Sequence, residues 1–392
     1  MKKILCLLIA ALSMMSCGQN NQIPGLPVMQ LKAPASEETR ISDEIQSVEY
    51  IPLELTDDSQ IAELLDLCVT DDYIFILSTR QNGILQFDRK GAFVRKVALS
   101  GNGPGETGDI VSISVDEANR VLCASEYFYL SYFSFDGEFI QRTNIQRPNA
   151  WQYCIGPNIM AEAGRQFVPL NTPSMFALGI FDIANDDTLA IKYSLGDPAL
   201  LPLENTAIKT LTWNYSTEGL LCRTAGNDTV WNLSKSGIQP AFLIDAGYPD
   251  NIRKELPDIR TNQSTYDNEY EVFSFFETPR RFYVKAFMNN DFYLFSLDKA
   301  SGIVTREKSR LNSDEIFRLN RQLTAIGMRN ETNNGLPIWP FYSYPARKLL
   351  IQLNTGVEIC YLKEQMPELN SIPVLQSITG DSNPLITLYH LK

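Results

Sequence analysis

The sequence has only one histidine, His390, and no two cysteines separated by two residues. Because protein zinc sites are built mainly from cysteine and histidine, a zinc centre is not expected. A serine or cysteine hydrolase would need His390 as its base, and the nucleophile motif G-x-S-x-G is absent. We therefore predict no metal and no cofactor, and we assign no catalytic residue.

Basic segments are also missing. The chain has 34 Lys and Arg residues against 46 Asp and Glu residues, a formal net charge of −12, and no basic run in its mature part. Nucleic-acid binding requires a basic face that contacts the phosphate backbone, so no nucleic-acid partner is expected.

No apolar run reaches the roughly 20 residues of a membrane-spanning helix. The N-terminal run, Ile4 to Met15, has 12 residues, follows two lysines and ends at "MMSC". This pattern resembles a bacterial lipoprotein signal, in which residues 1–16 are removed and Cys17 is lipid-modified. An ordinary secretory signal is the alternative. The protein is then expected to contact a membrane through the lipid anchor on Cys17.

The segment that follows the signal is rich in Asn, Gln, Pro, Ser and Glu, and we interpret residues 17–44 as a flexible tether. Residues 45–392 form the globular part. Five cysteines lie beyond Cys17, far apart and mostly in apolar stretches, and we interpret them as buried core residues rather than disulfides.

Short strand patterns dominate the first part of the globular region. Turn signals such as "DRKG", "EAN" and "DG" separate them, which is typical of an all-β sandwich, barrel or propeller. The strand-like segments are 71–78, 83–88, 93–99, 110–116, 120–125 and 129–145.

An internal repeat favours the propeller. The pattern "LQFDRKGAFVRKV" around Phe87 recurs as "SYFSFDGEFIQRT" around Phe135, 48 residues later, and again near Phe181, Trp231 and Phe295. The C-terminal "NPLITLYHLK" is the sixth segment of this type. An all-β unit of about 40 to 50 residues is typical of a four-stranded propeller blade, so we predict six blades.

The two ends of the chain are predicted to share the sixth blade. The last repeat stops after its third strand, and "SVEYIPLEL" (47–55) supplies a strand that would close the ring. The predicted fold is therefore all-β: a six-bladed β-propeller closed by an N-terminal strand, with short helical insertions. We expect the helices in two long gaps of the repeat, 249–271 and 313–330, on one face of the propeller.

These segments resemble the six-bladed β-propeller lipoproteins of the Bacteroidetes. The likeness covers residues 45 to 392 and is most specific in the "GNGPGE" loop (101–106) and the closing "DSNPLITLYHLK". It implies a TolB-like or NHL-like propeller with a lipid anchor, and it implies no activity. In this lineage an acidic run after the lipidated cysteine looks like a surface-export tag, and "GQNNQ" has none. We therefore expect the outer membrane, with the domain facing the periplasm.

The glycine-rich loop is not expected to bind phosphate. A phosphate-binding loop needs Gly-Lys-Ser or Gly-Lys-Thr at the start of a helix, whereas "GNGPGETGDIVSISVD" has no lysine and leads into a strand. We interpret it as a turn between two blades, shaped by its glycines and by Pro104.

Aromatic and arginine side chains are the remaining candidates for a binding site. Such residues in a propeller mouth suit carbohydrate, peptide or anionic ligands, although each could instead pack between blades. The predicted binding residues are Trp151, Trp213, Trp339, Arg165, Arg223 and Arg329.

The sequence thus favours a cell-envelope lipoprotein that binds a glycan, a peptide or an envelope protein at the channel mouth, and that is not an enzyme. A carboxylate-based glycan hydrolase or lyase at the same mouth is the alternative. It predicts a cluster of Asp, Glu, Tyr and Arg with a perturbed pKa. A scaffold for envelope complexes, the third interpretation, predicts a large apolar patch on a rim.

Overall fold

A computed structural model gives the architecture of the protein. It describes residues 25–32, 40–78, 83–101, 103, 105–126, 128–144, 150–164, 178–192, 211–224, 228–247, 270–289, 291–309 and 327–392. The described strands form six separate sheets of four or five strands. The prediction of an all-β, six-bladed β-propeller is confirmed.

Two strands precede the first complete blade: β1 (Val28–Gln30) and β2 (Ile45–Pro52). The strands of blades 1 to 3 follow in chain order, from the innermost to the outermost. They are β3 (Leu64–Val69), β4 (Tyr73–Ser78), β5 (Gly83–Asp88), β6 (Phe93–Ser100) and the short β7 (Glu106–Thr107); β8 (Ile110–Asp116), β9 (Val121–Glu126), β10 (Tyr129–Ser134) and β11 (Phe139–Asn144); and β12 (Ala150–Gly156), β13 (Ile159–Gly164), β14 (Leu178–Asp182) and β15 (Asp187–Lys192).

Blades 4 to 6 continue in the same order. Their strands are β16 (Leu211–Tyr215), β17 (Gly219–Thr224), β18 (Thr229–Ser234) and β19 (Gly237–Asp245); β20 (Glu271–Glu277), β21 (Arg281–Met288), β22 (Asp291–Asp298) and β23 (Val304–Lys308); and β24 (Tyr342–Tyr344), β25 (Leu349–Asn354) and β26 (Leu385–Leu391).

The N-terminal strand closes the ring as the sequence predicted. β2 pairs antiparallel with β26, from Ser47 opposite His390 to Pro52 opposite Leu385, and becomes the outermost strand of blade 6. Part of the segment interpreted as a tether also contacts the propeller, because β1 pairs in parallel with β19 and adds a fifth strand to blade 4.

The repeat found in the sequence corresponds to the turn between the third and fourth strands of a blade. In blade 1, Asp88 Oδ1 accepts hydrogen bonds from the N–H groups of Lys90 and Ala92, and Gly91 has φ of 88°. A Cβ at Gly91 would lie 2.1 Å from the carbonyl oxygen of Pro52. Glycine is therefore required both by the turn and by the close approach of the closing strand.

The described helices lie between β25 and β26. They are α1 (Gly356–Gln365), a 3-10 helix (Pro367–Ser371) and α2 (Pro373–Gln376); two further 3-10 turns are Ile41–Glu44 and Pro345–Arg347. Thr355 caps α1 in a reciprocal pair with Glu358. The two gaps in which we predicted helices lie largely outside the described residues, and 327–330 is not helical.

The two faces of the propeller differ in their connections. The strands run up and down alternately, so the turns between first and second and between third and fourth strands share one face. These turns are short, and none is longer than 299–303. The described long connection, which carries α1 and α2, lies on the opposite face, and the strands that flank the other long connections also end there. We call the first the turn face and the second the loop face.

Apolar side chains pack between neighbouring blades, and the seams differ in size. The described cluster that joins blades 4 and 5 has fourteen buried apolar residues, among them Met29 of β1. The described cluster between blades 2 and 3 has five: Cys123, Leu130, Tyr132, Cys154 and Met160. By this measure the seam between blades 2 and 3 is the least packed of those described.

A buried ion pair holds the closing segment against blade 5, and its loss should destabilise the fold. Glu44 Oε1 accepts hydrogen bonds from Arg281 Nη1 at 2.5 Å and from the Tyr283 hydroxyl at 3.0 Å. Glu44→Ala would leave the buried guanidinium with Asp298, at 3.4 Å, as its remaining described carboxylate partner. We expect the free energy of unfolding to fall by about 3 kcal/mol in denaturant titrations.

Glu49 provides the matched control for this prediction. It lies on β2, is 41% exposed, and pairs with His390 at 3.3 Å and Arg89 at 3.5 Å. Because exposed pairs contribute little, Glu49→Ala should cost less than about 1 kcal/mol. Equal losses from the two substitutions would contradict the assigned role of Glu44.

Candidate binding site

Aromatic side chains from three blades meet at the propeller axis. The Trp213 ring on β16 lies 3.8 Å from that of Tyr153 on β12 and 5.6 Å from that of Tyr342 on β24, centroid to centroid. Tyr215 and Tyr344 stack at 4.8 Å with planes 22° apart. Blade 5 separates blades 4 and 6 in the ring, so contacts between β16 and β24 can form only near the axis.

A buried carboxyl group lies beside these rings. Asp66 on β3 accepts hydrogen bonds from the Ile113 N–H at 3.0 Å, the Leu67 N–H at 2.9 Å and the Tyr342 hydroxyl at 2.9 Å. Burial raises the pKa of Asp66 to about 7, although these hydrogen bonds act in the opposite direction. Near neutral pH the group is therefore present in both its protonated and ionised forms.

Asn214 ties three blades together next to the rings. Its Oδ1 accepts hydrogen bonds from the Ser343 N–H at 2.8 Å and the Ser343 hydroxyl at 3.0 Å. Its Nδ2 donates to the carbonyl oxygens of Phe275 at 3.2 Å and Phe341 at 3.1 Å. This satisfied network fixes the positions of β16, β20 and β24 around the axis.

A pocket of about 310 Å³ opens at the axis on the turn face. Tyr215 and Tyr344 line it, together with the turns that end the inner strands of blades 2, 3, 4 and 6. Its remaining lining residues are Val115, Asp116, Glu117, Ala118, Cys154, Ile155, Gly156, Pro157, Ser216, Thr217, Glu218, Gly219, Ala346 and Arg347. We call this cavity the axial pocket.

Charged groups of both signs stand on the rim of the axial pocket. Arg347 Nη2 lies 2.6 Å from Asp71 Oδ1, and its Nη1 lies 3.5 Å from Glu117 Oε2. Asp116 accepts hydrogen bonds from Asn119 and from the Asn158 N–H at 3.0 Å, which fixes two of the turns. The pocket therefore combines aromatic faces with carboxylates and one guanidinium.

Two other cavities lie away from the axis. A cleft of about 710 Å³ separates blades 2 and 3, and Tyr132, Gln152 and Glu162 are among its lining residues. A polar pocket of about 410 Å³ lies on the loop face, between the segment 329–335 and the residues 366–371 that follow α1.

The structure places the predicted binding residues at different sites. Trp213 lies at the axis, as described above. Trp339 is 2% exposed and packs between blades 5 and 6, with the Lys285 ammonium 4.8 Å from its ring centroid. Arg223 is buried in β17. Arg329 is exposed, lies 3.6 Å from Glu331 and lines the polar pocket on the loop face.

The structure describes little of the other predicted residues. Trp151 lies in β12, opposite Ala163 of β13. Arg165 and the lipidation candidate Cys17 lie outside the described residues. Of the six predicted binding residues, the described structure thus brings only Trp213 to the axis.

Sequence reasoning missed most of the axial residues. The missed residues all lie on innermost strands: Asp66, Tyr153, Tyr215, Tyr342 and Tyr344. The sequence repeat, in contrast, was recognised from the third strand of each blade. The alternating "FYSYP" before the last hairpin was the available signal, since it places two tyrosines on one side of a strand.

Within the described ranges, no three His, Cys, Asp or Glu side chains come close enough together to hold a metal ion. Nor does any helix in those ranges have the length and apolar character needed to cross a membrane.

Comparisons with known proteins agree with this architecture. A family model described as "Domain of unknown function (DUF4934)" matches residues 26–390. No curated protein matches the chain. The start of the match near residue 26 includes β1, which indicates that this strand is part of the conserved domain.

The chain is also similar to solved structures. A Bacteroides fragilis protein described as exported matches with a TM-score of 0.64 and 15% identity, over 93% of this chain and 99% of that one. The WD40 domain of Toxoplasma gondii coronin matches with a TM-score of 0.42 and 10% identity, over 80% of this chain and 71% of that one. At 15% identity the likeness to the Bacteroides fragilis protein concerns the fold alone.

The raised pKa of Asp66 leads to a stability prediction with a definite sign. Between about pH 4 and pH 7 the folded state holds a proton that the unfolded state has released. The free energy of unfolding therefore falls as pH rises through this window, by roughly 4 kcal/mol for this group. Asp66→Asn removes the titration, so its stability relative to the wild type should increase from pH 4 to pH 7 and then stay constant.

Denaturant titrations at several pH values would measure this difference. Asp136→Asn, at an exposed turn position, is the control and should follow the wild-type pH profile. A difference curve for Asp66→Asn that is flat across the window would show that Asp66 keeps an ordinary pKa.

Proposed function

We propose that this chain, which belongs to the family of the domain of unknown function DUF4934, is a binding module of the cell envelope whose ligand site is the axial pocket. The observation that carries this proposal is the meeting of aromatic faces and charged groups at the one point on the turn face where four blades converge. Ligand sites commonly combine a mostly apolar concave surface with a few fixed polar groups.

The chemistry of the pocket favours a glycan or a short peptide as the ligand. Tyr344 is only partly buried and lines the pocket, so it offers aromatic surface to a sugar face or an apolar side chain, while the buried Tyr215 stacks against it. Glu218 and Arg347 can bond hydroxyl or amide groups at the rim. A volume of about 310 Å³ is at the small end of known ligand sites, so a terminal sugar or a single side chain fits inside.

A second candidate function is favoured by Asp66. A carboxyl group with a pKa of about 7 is suited to general acid catalysis at neutral pH, and Tyr342 lies within hydrogen-bond distance of it. Glycosidases use a second carboxyl group roughly 5 to 10 Å from the first. The described hydrogen bonds to Asp66 come from backbone N–H groups and a tyrosine, and none of them involves a second carboxyl group. Binding without turnover is therefore the better supported function.

The N-terminal pattern supports a location in the cell envelope. We infer that Cys17 carries a lipid anchor in the outer membrane and that the propeller, TolB-like or NHL-like in type, faces the periplasm. The exported relative of similar fold supports an envelope location. In this arrangement the segment before β2 connects the anchor to blades 4 and 6, because β1 and β2 are built into those blades.

Blocking the axial pocket should abolish ligand binding. Ala346 is exposed on the pocket wall, so Ala346→Trp would fill the mouth without disturbing a buried residue. The wild-type chain should show a raised melting temperature with one class in a panel of glycans and peptides. For that class, calorimetry should give an affinity at least about tenfold lower for Ala346→Trp.

The control is Ala300→Trp, an exposed alanine in the outer turn of blade 5 on the same face. It should bind like the wild type. If Ala346→Trp keeps full affinity, the ligand site is elsewhere. If the bound glycan is also cleaved, and Asp66→Asn stops cleavage while binding persists, the enzyme function is the correct one.

The lipid anchor has its own test. In cells that produce the full chain, Cys17→Ser should move the protein from the membrane fraction to the soluble fraction, because the lipid is its expected membrane contact. Cys6→Ser, in the part of the signal that is removed, should leave the distribution unchanged. A Cys17→Ser chain that stays in the membrane fraction would contradict lipidation at this residue.

A further inference from the structure

Two cysteine thiols meet across the seam between blades 2 and 3. Cys123 lies on β9 and Cys154 on β12, and their Sγ atoms are 3.3 Å apart. Both residues are buried, with exposures of 1% and 4%. β9 and β12 belong to different sheets, so no ladder of backbone hydrogen bonds joins them.

This seam has the smallest described apolar cluster of the seams between blades. Its described apolar cluster has five buried residues, two of which are these cysteines. The cleft of about 710 Å³ opens beside it, and both thiols are among the lining residues. Blades 2 and 3 are therefore joined by less apolar packing than the other described pairs.

We propose that Cys123 and Cys154 form a disulfide that joins blade 2 to blade 3 when the chain folds in an oxidising compartment. The inference rests on the envelope location given under the proposed function. A disulfide needs an S–S distance of about 2 Å, so side-chain shifts on the order of 1 Å close the observed gap. Cys68 and Cys222, which are also buried, stay reduced.

The oxidant is the disulfide of a thiol–disulfide oxidoreductase or of oxidised glutathione. The thiolate of one cysteine attacks that disulfide, forming a mixed disulfide and releasing one thiolate of the oxidant. The thiolate of the second cysteine then attacks the mixed disulfide and releases the other. The chain loses two protons and two electrons, and the oxidant gains both as two thiols.

Oxidation must precede closure of the seam. In the folded protein the hydrogen bond with Cys154 and burial raise the pKa of Cys123 well above its ordinary value. Because the thiolate is the attacking species, the folded and reduced pair reacts slowly. The redox conditions during folding therefore decide which form is populated.

Refolding under controlled redox conditions tests the proposal. The mature chain with Cys17→Ser, which avoids lipidation, is unfolded and refolded either in a glutathione redox buffer or in excess reductant. It is then alkylated under denaturing conditions and analysed by mass spectrometry. We expect three of the five cysteines to be alkylated after oxidative refolding and all five after reductive refolding. Peptide mapping should find one cross-link, between Cys123 and Cys154.

The melting temperature provides the second measurement. The link closes a loop between residues 31 apart in sequence, and the oxidised form should melt several degrees above the reduced one. Cys123→Ala should melt at the same temperature in both buffers. Cys222→Ala, a buried cysteine in blade 4, should keep the wild-type difference.

Five free thiols after oxidative refolding, or a cross-link through Cys68 or Cys222, would overturn the pairing. The location is judged separately, by mapping the wild-type chain taken from the envelope of its own cells. A link that forms on refolding but is missing there would count against the envelope location and leave the pairing intact.

Discussion

Closure of the ring by pairing of the two chain ends is the constraint on which the rest of the structure depends. A sheet with an unpaired edge exposes a row of backbone groups, and blade 6 would have such an edge without β2. The pairing of β2 with β26 covers this edge of β26, completes blade 6 with a fourth strand and joins the two ends of the chain. The closing segment also contacts the neighbouring blades: the backbone of Pro52 lies close to Gly91 in blade 1, and Glu44 pairs with Arg281 in blade 5.

A closed ring of six blades brings the innermost strands close to one another. Here the strands of blades 4 and 6 approach so closely that Asn214 bonds Ser343 directly and the rings of Tyr215 and Tyr344 stack. The axis is therefore occupied by side chains at this level. A ligand cannot pass through it, and binding is restricted to the mouths. This explains why the described axial cavity is a shallow pocket with an aromatic lining.

Much of the fold could be predicted from the sequence, and much less of the site. The turns carry their own signal, because Asp88 and Gly91 are needed locally whatever the distant contacts are. The closing strand followed from counting strands at the two chain ends. Asp66 and Trp339 gave no such signal. Whether a residue faces the axis or the core depends on how neighbouring blades pack, and no pattern within a single strand records that.

The structural difference between the turn face and the loop face indicates which mouth of the axial channel binds the ligand. The turn face is built from short turns whose side-chain hydrogen bonds, such as those of Asp116, hold them in place before a ligand arrives. Because the walls of such a pocket are already ordered, ligand binding loses little free energy to ordering them. Preorganisation therefore favours the axial pocket, even though long loops are where binding residues are most often sought.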